Sequence, residues 1–220
     1  RNKNSMTSNT MTDVSIRKRH ISNLLAERLN WKILDSGALY RAFAYFSISE
    51  NDERFIEQNL RKISFNIVDN SIQVLFKNED ISRHLRTEET AIQASKISSL
   101  SSTREILLPI QRFFSETSNL IADGRDMGSI VFPNANLKFF LDADPQVRAK
   151  RRHLELQKRG QEVNMHDLIN DIVERDKKDR TRDLSPLIKT EDSILLDSTN
   201  LDQESILTEA LRHIKERNIL

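Results

Sequence analysis

The sequence predicts an α/β domain: a parallel sheet with helices on both faces, plus a small α+β insert. Three observations lead there. Short apolar runs of buried-strand length, Leu120-Ile121-Ala122, Leu137-Lys138-Phe139-Phe140-Leu141 and Ile194-Leu195-Leu196, alternate with stretches of helical period. Two alternating runs, Ile63-Phe65-Ile67 and Ile72-Val74-Phe76, flank Asp69-Asn70 and read as a β-hairpin around an Asx turn. Polar clusters follow the apolar runs at Asp35 and Asp123, and open α/β sheets bind ligands at the carboxyl ends of their strands.

The elements follow in order. Residues 1–16 are polar, show no convincing period, and are expected to be disordered or poorly ordered. Ile21, Leu24, Leu25 and Leu29 fall at helical spacing, and residues 31–34 make a short strand ending at Asp35-Ser36-Gly37. A second helix runs through Tyr40, Phe43, Ala44 and Phe46. Residues 60–98 hold the hairpin and a polar, helix-capable stretch, and are taken as the insert. Ser102-Thr103-Arg104-Glu105 has capping-box spacing ahead of a helix that Pro109 should kink. Asp144-Pro145 is a cap followed by an N1 proline, and Gly160 a plausible stop. A charged helix over 165–180, the strand at Ile194 and an amphipathic helix over 203–217 complete the chain.

Composition narrows the function classes. With 220 residues, 37% hydrophobic and 30% charged, the chain suits one well-cored globular domain. No run approaches the ~18 apolar residues of a membrane helix, and no signal-peptide h-region opens the chain; no membrane partner is expected. Absent cysteine rules out disulfides and thiolate metal sites and fits a reducing cytosol, so a cytoplasmic monomer is expected. A formal charge of +1 gives no case for nucleic acid. The five histidines lack metal-ligand spacing, and no Ser/His/Asp signature is present.

Three clusters carry chemistry. In Leu34-Asp35-Ser36-Gly37-Ala38-Leu39-Tyr40-Arg41 a strand turns into a helix, whose open N-terminus favours an anion and where Arg41 adds a phosphate fork. A capped junction with a surface arginine reads equally well. Asp123-Gly124-Arg125-Asp126-Met127-Gly128 places two acids, an arginine and two glycines directly after an apolar strand. Arg125 suits a phosphate, while Asp123 and Asp126 suit a base or a Mg²⁺ held through water. Arg175, Asp179 and Arg182, at i, i+4 and i+7, share a helix face that alone reads as solvated ion pairs. Arg148, Arg151 and Arg152 crowd another helix.

Together the stretches LNWKILDSGALYR, EDISRHLRTEE, LIADGRDMGSIVFP, FFLDADPQVRAKRR, ERDKKDRTR and LLDSTNL resemble bacterial cytidylate kinases, in this order and from about Ile21 onward. The resemblance implies a P-loop NTPase-like fold divided into a core (21–59 and 99–220) with a short lid and a monophosphate-binding insert (60–98). It implies phosphoryl transfer from ATP, with Mg²⁺, to CMP or dCMP. Carried over by position, Ser36, Arg41, Arg125 and Arg182 clamp the acceptor phosphate. Ser95, Arg104 and Asp126 read cytosine; Tyr40, Arg175 and Asp179 meet the sugar. Arg151 and Arg152 are the lid arginines over the transferring phosphoryl.

The departure lies in residues 1–20. The family's glycine loop should fall at residues 12–20, which here read TDVSIRKRH, with Lys18 where the phosphate lysine belongs and His20 in place of the magnesium-binding hydroxyl. No glycine precedes Gly37, and a phosphate nest needs successive inward N–H groups that bulky residues resist. The first strand and the loop are therefore expected to be lost. A frameshifted or misassigned upstream segment is favoured, since losing a central strand should weaken the fold; a CMP-binding pseudokinase is the alternative. RNA binding through the arginine helix lacks nearby aromatic residues.

Overall fold

The computed structural model describes residues 5–10, 16–50, 52–116, 118–158 and 160–219. In chain order, β1 (Ser5–Thr10), α1 (Ile16–Leu29), β2 (Lys32–Asp35) and α2 (Ser36–Ser49) open the chain. There follow α3 (Glu53–Leu60), β3 (Ile63–Val68), β4 (Ser71–Phe76), β5 (Glu79–Asp80) and α4 (Glu88–Ile97). After α5 (Ser101–Phe113) come β6 (Leu120–Gly124), β7 (Leu137–Asp142), α6 (Pro145–Lys158), α7 (Met165–Thr181), β8 (Ser193–Asp197) and α8 (Gln203–Glu216).

Five parallel strands form one sheet in the order β2-β6-β1-β7-β8. From β1 the chain crosses to the β2 edge, then steps back through β6, β7 and β8 in the opposite direction. Right-handed crossovers therefore put α1 on one face and α2, α5, α6 and α7 on the other. The last helix, α8, packs back on α1. This is the doubly covered parallel sheet that the alternating pattern predicts. Its centre is dry: Leu34 and Leu120 are 0% exposed, Ile121 and Leu137 1%.

The first strand is present, contrary to expectation. The backbone of β1 pairs with β6 from Ser5↔Leu120 to Asn9↔Gly124 and with β7 from Met6↔Leu137 to Thr10↔Leu141. Sheet ladders use main-chain groups that every non-proline residue carries, so a polar Ser/Thr-rich segment without proline can be held by neighbours on two sides. Hydrophobic periodicity is blind to this. The following helix also starts at Ile16 rather than Ile21. Residues 11–15, which include the first four positions of the expected glycine loop, lie outside the described residues, as do residues 1–4; its last five positions, 16–20, are the first residues of α1.

The hairpin forms as predicted. Strands β3 and β4 pair from Ile63↔Phe76 to Val68↔Ser71. Asp69 and Asn70 both take positive φ, 49° and 58°, which a two-residue type I′ connection requires. A short β5 extends this separate three-stranded sheet. The capping box is not used: α5 starts at Ser101, and Leu100 at its N-cap makes no side-chain cap bond. Asp144 does cap α6, accepting from Gln146 N at 2.8 Å.

Candidate functional site

Strands β2 and β6 lie side by side with Asp35 and Asp123 as register partners at their carboxyl ends. Helix α2 begins at Ser36 without an intervening turn, and the Asp35 carboxylate accepts from Ala38 N at 2.9 Å. The chain's own carboxylate thus caps this N-terminus, which the sequence left open for an anion. Opposite it, a Cβ on Gly124 would sit 2.9 Å from Ser36 Cβ and from two Met127 side-chain atoms. Only glycine lets the end of β6 lie this close to the start of α2. Ser36 is buried there, and its Oγ accepts from Gln111 Nε2 at 2.9 Å.

Around this junction the structure gathers most of the expected residues. Arg104 Nη1 donates to Asp126 Oδ2 at 3.1 Å and Nη2 to the Ser98 carbonyl at 2.9 Å, while its guanidinium lies 5.8 Å from the Tyr40 ring centre. Ser36 and Tyr40 are four residues apart on α2, so they share one face of that helix. Arg125 Nη1 donates to Asp179 Oδ1. Helix α7 ends at Thr181, so Arg182 leaves the helical face the sequence assigned it; extended at φ −67°, ψ 142°, it donates through Nε to the Ser185 carbonyl. Its charge still meets Arg104, Asp126, Arg125 and Asp179.

Three guanidiniums, Arg104, Arg125 and Arg182, are set among buried carboxylates: Asp126 and Asp179 act on Arg182, and Asp176 acts on Arg125 as well. Burial holds the Arg125 and Arg182 pKa values below the usual arginine range, although both stay charged at neutral pH. Two buried polar atoms, Arg104 Nε and Asp179 Oδ2, have no hydrogen-bond partner among the described residues. One is a donor and the other an acceptor, and leaving either unmet is costly.

Burial, offset in part by Arg104, pushes the Tyr40 hydroxyl up from 10.0 to about 12. The ring therefore stays a neutral donor throughout the physiological range. Because its folded pKa exceeds the unfolded value, Tyr40 contributes stability that is present below pH 10 and lost as pH rises toward about 12. Tyr40→Phe is expected to flatten that part of the stability profile, measured by urea unfolding across this window. An unchanged profile counts against the burial described for the ring.

The residues after Asp126 form a π-helical turn, Met127–Val131, a rare geometry concentrated at functional sites. Arg112 on α5 holds its end, donating to the Val131 and Ile130 carbonyls at 2.9 and 3.1 Å. Sequence reading missed this arginine and Gln111. The period could have found Gln111: Thr103, Leu107, Ile110 and Gln111, at i, i+4, i+7 and i+8, are the buried face of α5.

Other expected residues stand apart. Arg41 donates through Nη1 to the Leu85 carbonyl at 3.2 Å. Ser95 is exposed on α4. Arg151 hydrogen-bonds the Ser198 carbonyl at 2.5 Å, and Arg152 pairs with Glu155 at 3.5 Å, so neither lid arginine is drawn into the cluster. Arg175 is exposed on α7, with Asp179 and Asp176 as its nearest charges. Lys18 falls within α1. The crowded arginine Arg148 is buried and grips Asp176 through both terminal nitrogens.

A family model described as cytidylate kinase matches residues 15–216. The chain belongs to the cytidylate kinase family. A cytidylate kinase of Photobacterium profundum is 43% identical over 199 residues, covering 88% of this chain and 87% of the relative. One from Shewanella loihica is 41% identical over 207 residues, covering 91% and 90%. Among solved structures, an uncharacterized protein from Eubacterium ventriosum aligns with TM-score 0.51 at 14% identity, covering 98% of this chain and 99% of that one. That likeness speaks to the fold alone. The cytidylate kinase match includes all three polar clusters and begins at residue 15, ahead of Ile21. No helix among the described residues is long and apolar enough to cross a membrane.

Proposed function

We infer that the strand-end cluster is the acceptor site of a cytidylate kinase: it binds CMP or dCMP, which receives a phosphoryl group from ATP. The observation that carries this reading is the convergence of three half-buried guanidiniums, Arg104, Arg125 and Arg182, at the strand ends, with burial lowering the pKa of two of them. A phosphate monoester is the kind of anion such forks bind. Ser36, Arg125 and Arg182 converge on that anion, and the Arg104–Asp126 pair offers a donor and an acceptor to a cytosine edge. The unmet Arg104 Nε suits a base acceptor, and the unmet Asp179 Oδ2 a sugar hydroxyl.

Phosphoryl transfer needs positioning and charge neutralisation more than covalent chemistry from the protein. Mg²⁺ bound with ATP would neutralise charge on its phosphates; Asp123, at the end of β6, is the carboxylate that would meet a magnesium-bound water, since Asp35 caps α2 and Asp126 is engaged by Arg104.

A second reading rests on the absence of glycine before Gly37: the chain binds CMP but transfers slowly or not at all. Calorimetry with CMP and with ATP, alongside a CDP-forming assay, separates the two. CMP binding with CDP production supports the kinase; CMP binding without ATP binding or product supports the second. Absence of CMP binding sinks both. Arg182→Ala is expected to weaken CMP binding by about 1.5–3 kcal/mol, the range for a lost charge-assisted hydrogen bond. An unchanged affinity removes Arg182 from the site.

A further inference from the structure

We propose that Gln111 is a positioning residue that fixes the polarity of the Ser36 hydroxyl, making it a donor to the acceptor phosphate. The proposal rests on the reading of Ser36 as a phosphate contact. Gln111 sits on the apolar face of α5 beside Leu107 and Ile110, and is only 3% exposed. A buried amide is costly unless bonded, and a leucine or methionine would fill the same space. The Gln111 amide spends a hydrogen bond on one partner from another element: Nε2 donates to Ser36 Oγ at 2.9 Å, 75 residues away in sequence.

The serine is 4% exposed and closely packed: a Cβ on Gly124 would stand 2.9 Å from its Cβ, and Gln111 of α5 bonds its hydroxyl. A hydroxyl has one proton to donate and two lone pairs to accept with. With Gln111 occupying one lone pair, the O–H bond points away from α5. Its proton has no acceptor among the described residues, for the bond from Gln111 is the one those residues give this hydroxyl. One turn along α2 from Ser36 stands Tyr40, and Gly124, packed against Ser36, leads directly into Arg125. A phosphate oxygen, which only accepts, is the matching partner. Without Gln111 the Ser36 proton is free to turn inward, toward its own helix or the vacated space.

The test compares CMP with cytidine, which lacks the phosphate, by calorimetry on the full chain. Ser36→Ala is expected to weaken CMP binding by about tenfold and Gln111→Met by about fivefold, as for loss or misorientation of one hydrogen bond to a charged group. Cytidine affinity should stay within about twofold in both. The double variant should bind CMP no worse than Ser36→Ala alone, because the glutamine acts only through the serine. Gln111→Glu keeps the shape but accepts the serine proton, and should weaken CMP at least as much as Gln111→Met; it also serves if the methionine variant does not fold. Equal losses for CMP and cytidine make Gln111 a packing residue and overturn the proposal. A CMP-selective loss in Ser36→Ala, with both Gln111 variants like wild type, overturns the proposal while leaving the phosphate reading of Ser36 intact. If Ser36→Ala binds CMP normally, that reading falls and takes the proposal with it.

Discussion

Arg125→Met is expected to damage stability and CMP binding together. Arg125 donates to Asp179, which is 5% exposed and whose second oxygen has no partner among the described residues. Removing the guanidinium strands a buried carboxylate, and breaking a buried pair this way costs about 3–5 kcal/mol. Urea unfolding reads that loss. The double variant Arg125→Met/Asp179→Leu should recover most of the stability, since neither charge then remains. It should recover none of the CMP affinity, which needs the guanidinium itself. A single variant as stable as wild type would mean that water reaches Asp179, and that the cleft is more open than described.

Arg148→Met should be at least as destabilising. Arg148 is 4% exposed, donates through Nε to the Ala143 carbonyl at 3.1 Å, and holds Asp176 with both terminal nitrogens. It ties the start of α6 to α7, the helix that carries Asp179 and leads into Arg182. A loss of about 3–5 kcal/mol is expected, again measured by urea unfolding. The exposed Arg212, bonded to Glu209 and Glu216 on α8, is the control; water screens pairs of that kind, so its loss should barely move the unfolding curve. Equal effects at the two positions would show that burial of the Arg148 pair contributes nothing. These two buried pairs also explain the run of charge after Glu174. Asp176 and Asp179 are the acids of that helix that face inward, whereas its composition alone reads as a solvated face.

The parallel sheet was readable wherever burial enforces an apolar run. Strands β6, β7 and β8, the hairpin and α6 all coincide with runs or caps visible in the sequence. What period and composition miss is structure dictated by neighbours. Strand β1 is drawn into place by two flanking strands, and nothing in Ser-Met-Thr-Ser-Asn-Thr announces it. The same limit holds for the site. Polar clusters pointed to Ser36, Tyr40, Arg125, Asp126, Asp179 and Arg182, and the family resemblance added Arg104; the fold brings these together. Linear spacing could not tell that Arg182 leaves its helix, that Asp35 caps α2, or that Arg41, Arg151 and Arg152 bond elsewhere. Those outcomes depend on which carbonyl or carboxylate the tertiary fold puts within reach of a long side chain.

The central strand whose loss a misassigned upstream segment implies is present in the sheet, although no glycine precedes Gly37.

The place of β1 has a further consequence. It is the third of five strands, flanked by β6 and β7. Take it away and the sheet parts into two separate ribbons, β2-β6 and β7-β8, each with a raw inner margin of unpaired amides and carbonyls. Such margins recruit other chains. Residues 5–10 thus seal the seam along which this molecule would otherwise stick to its own kind.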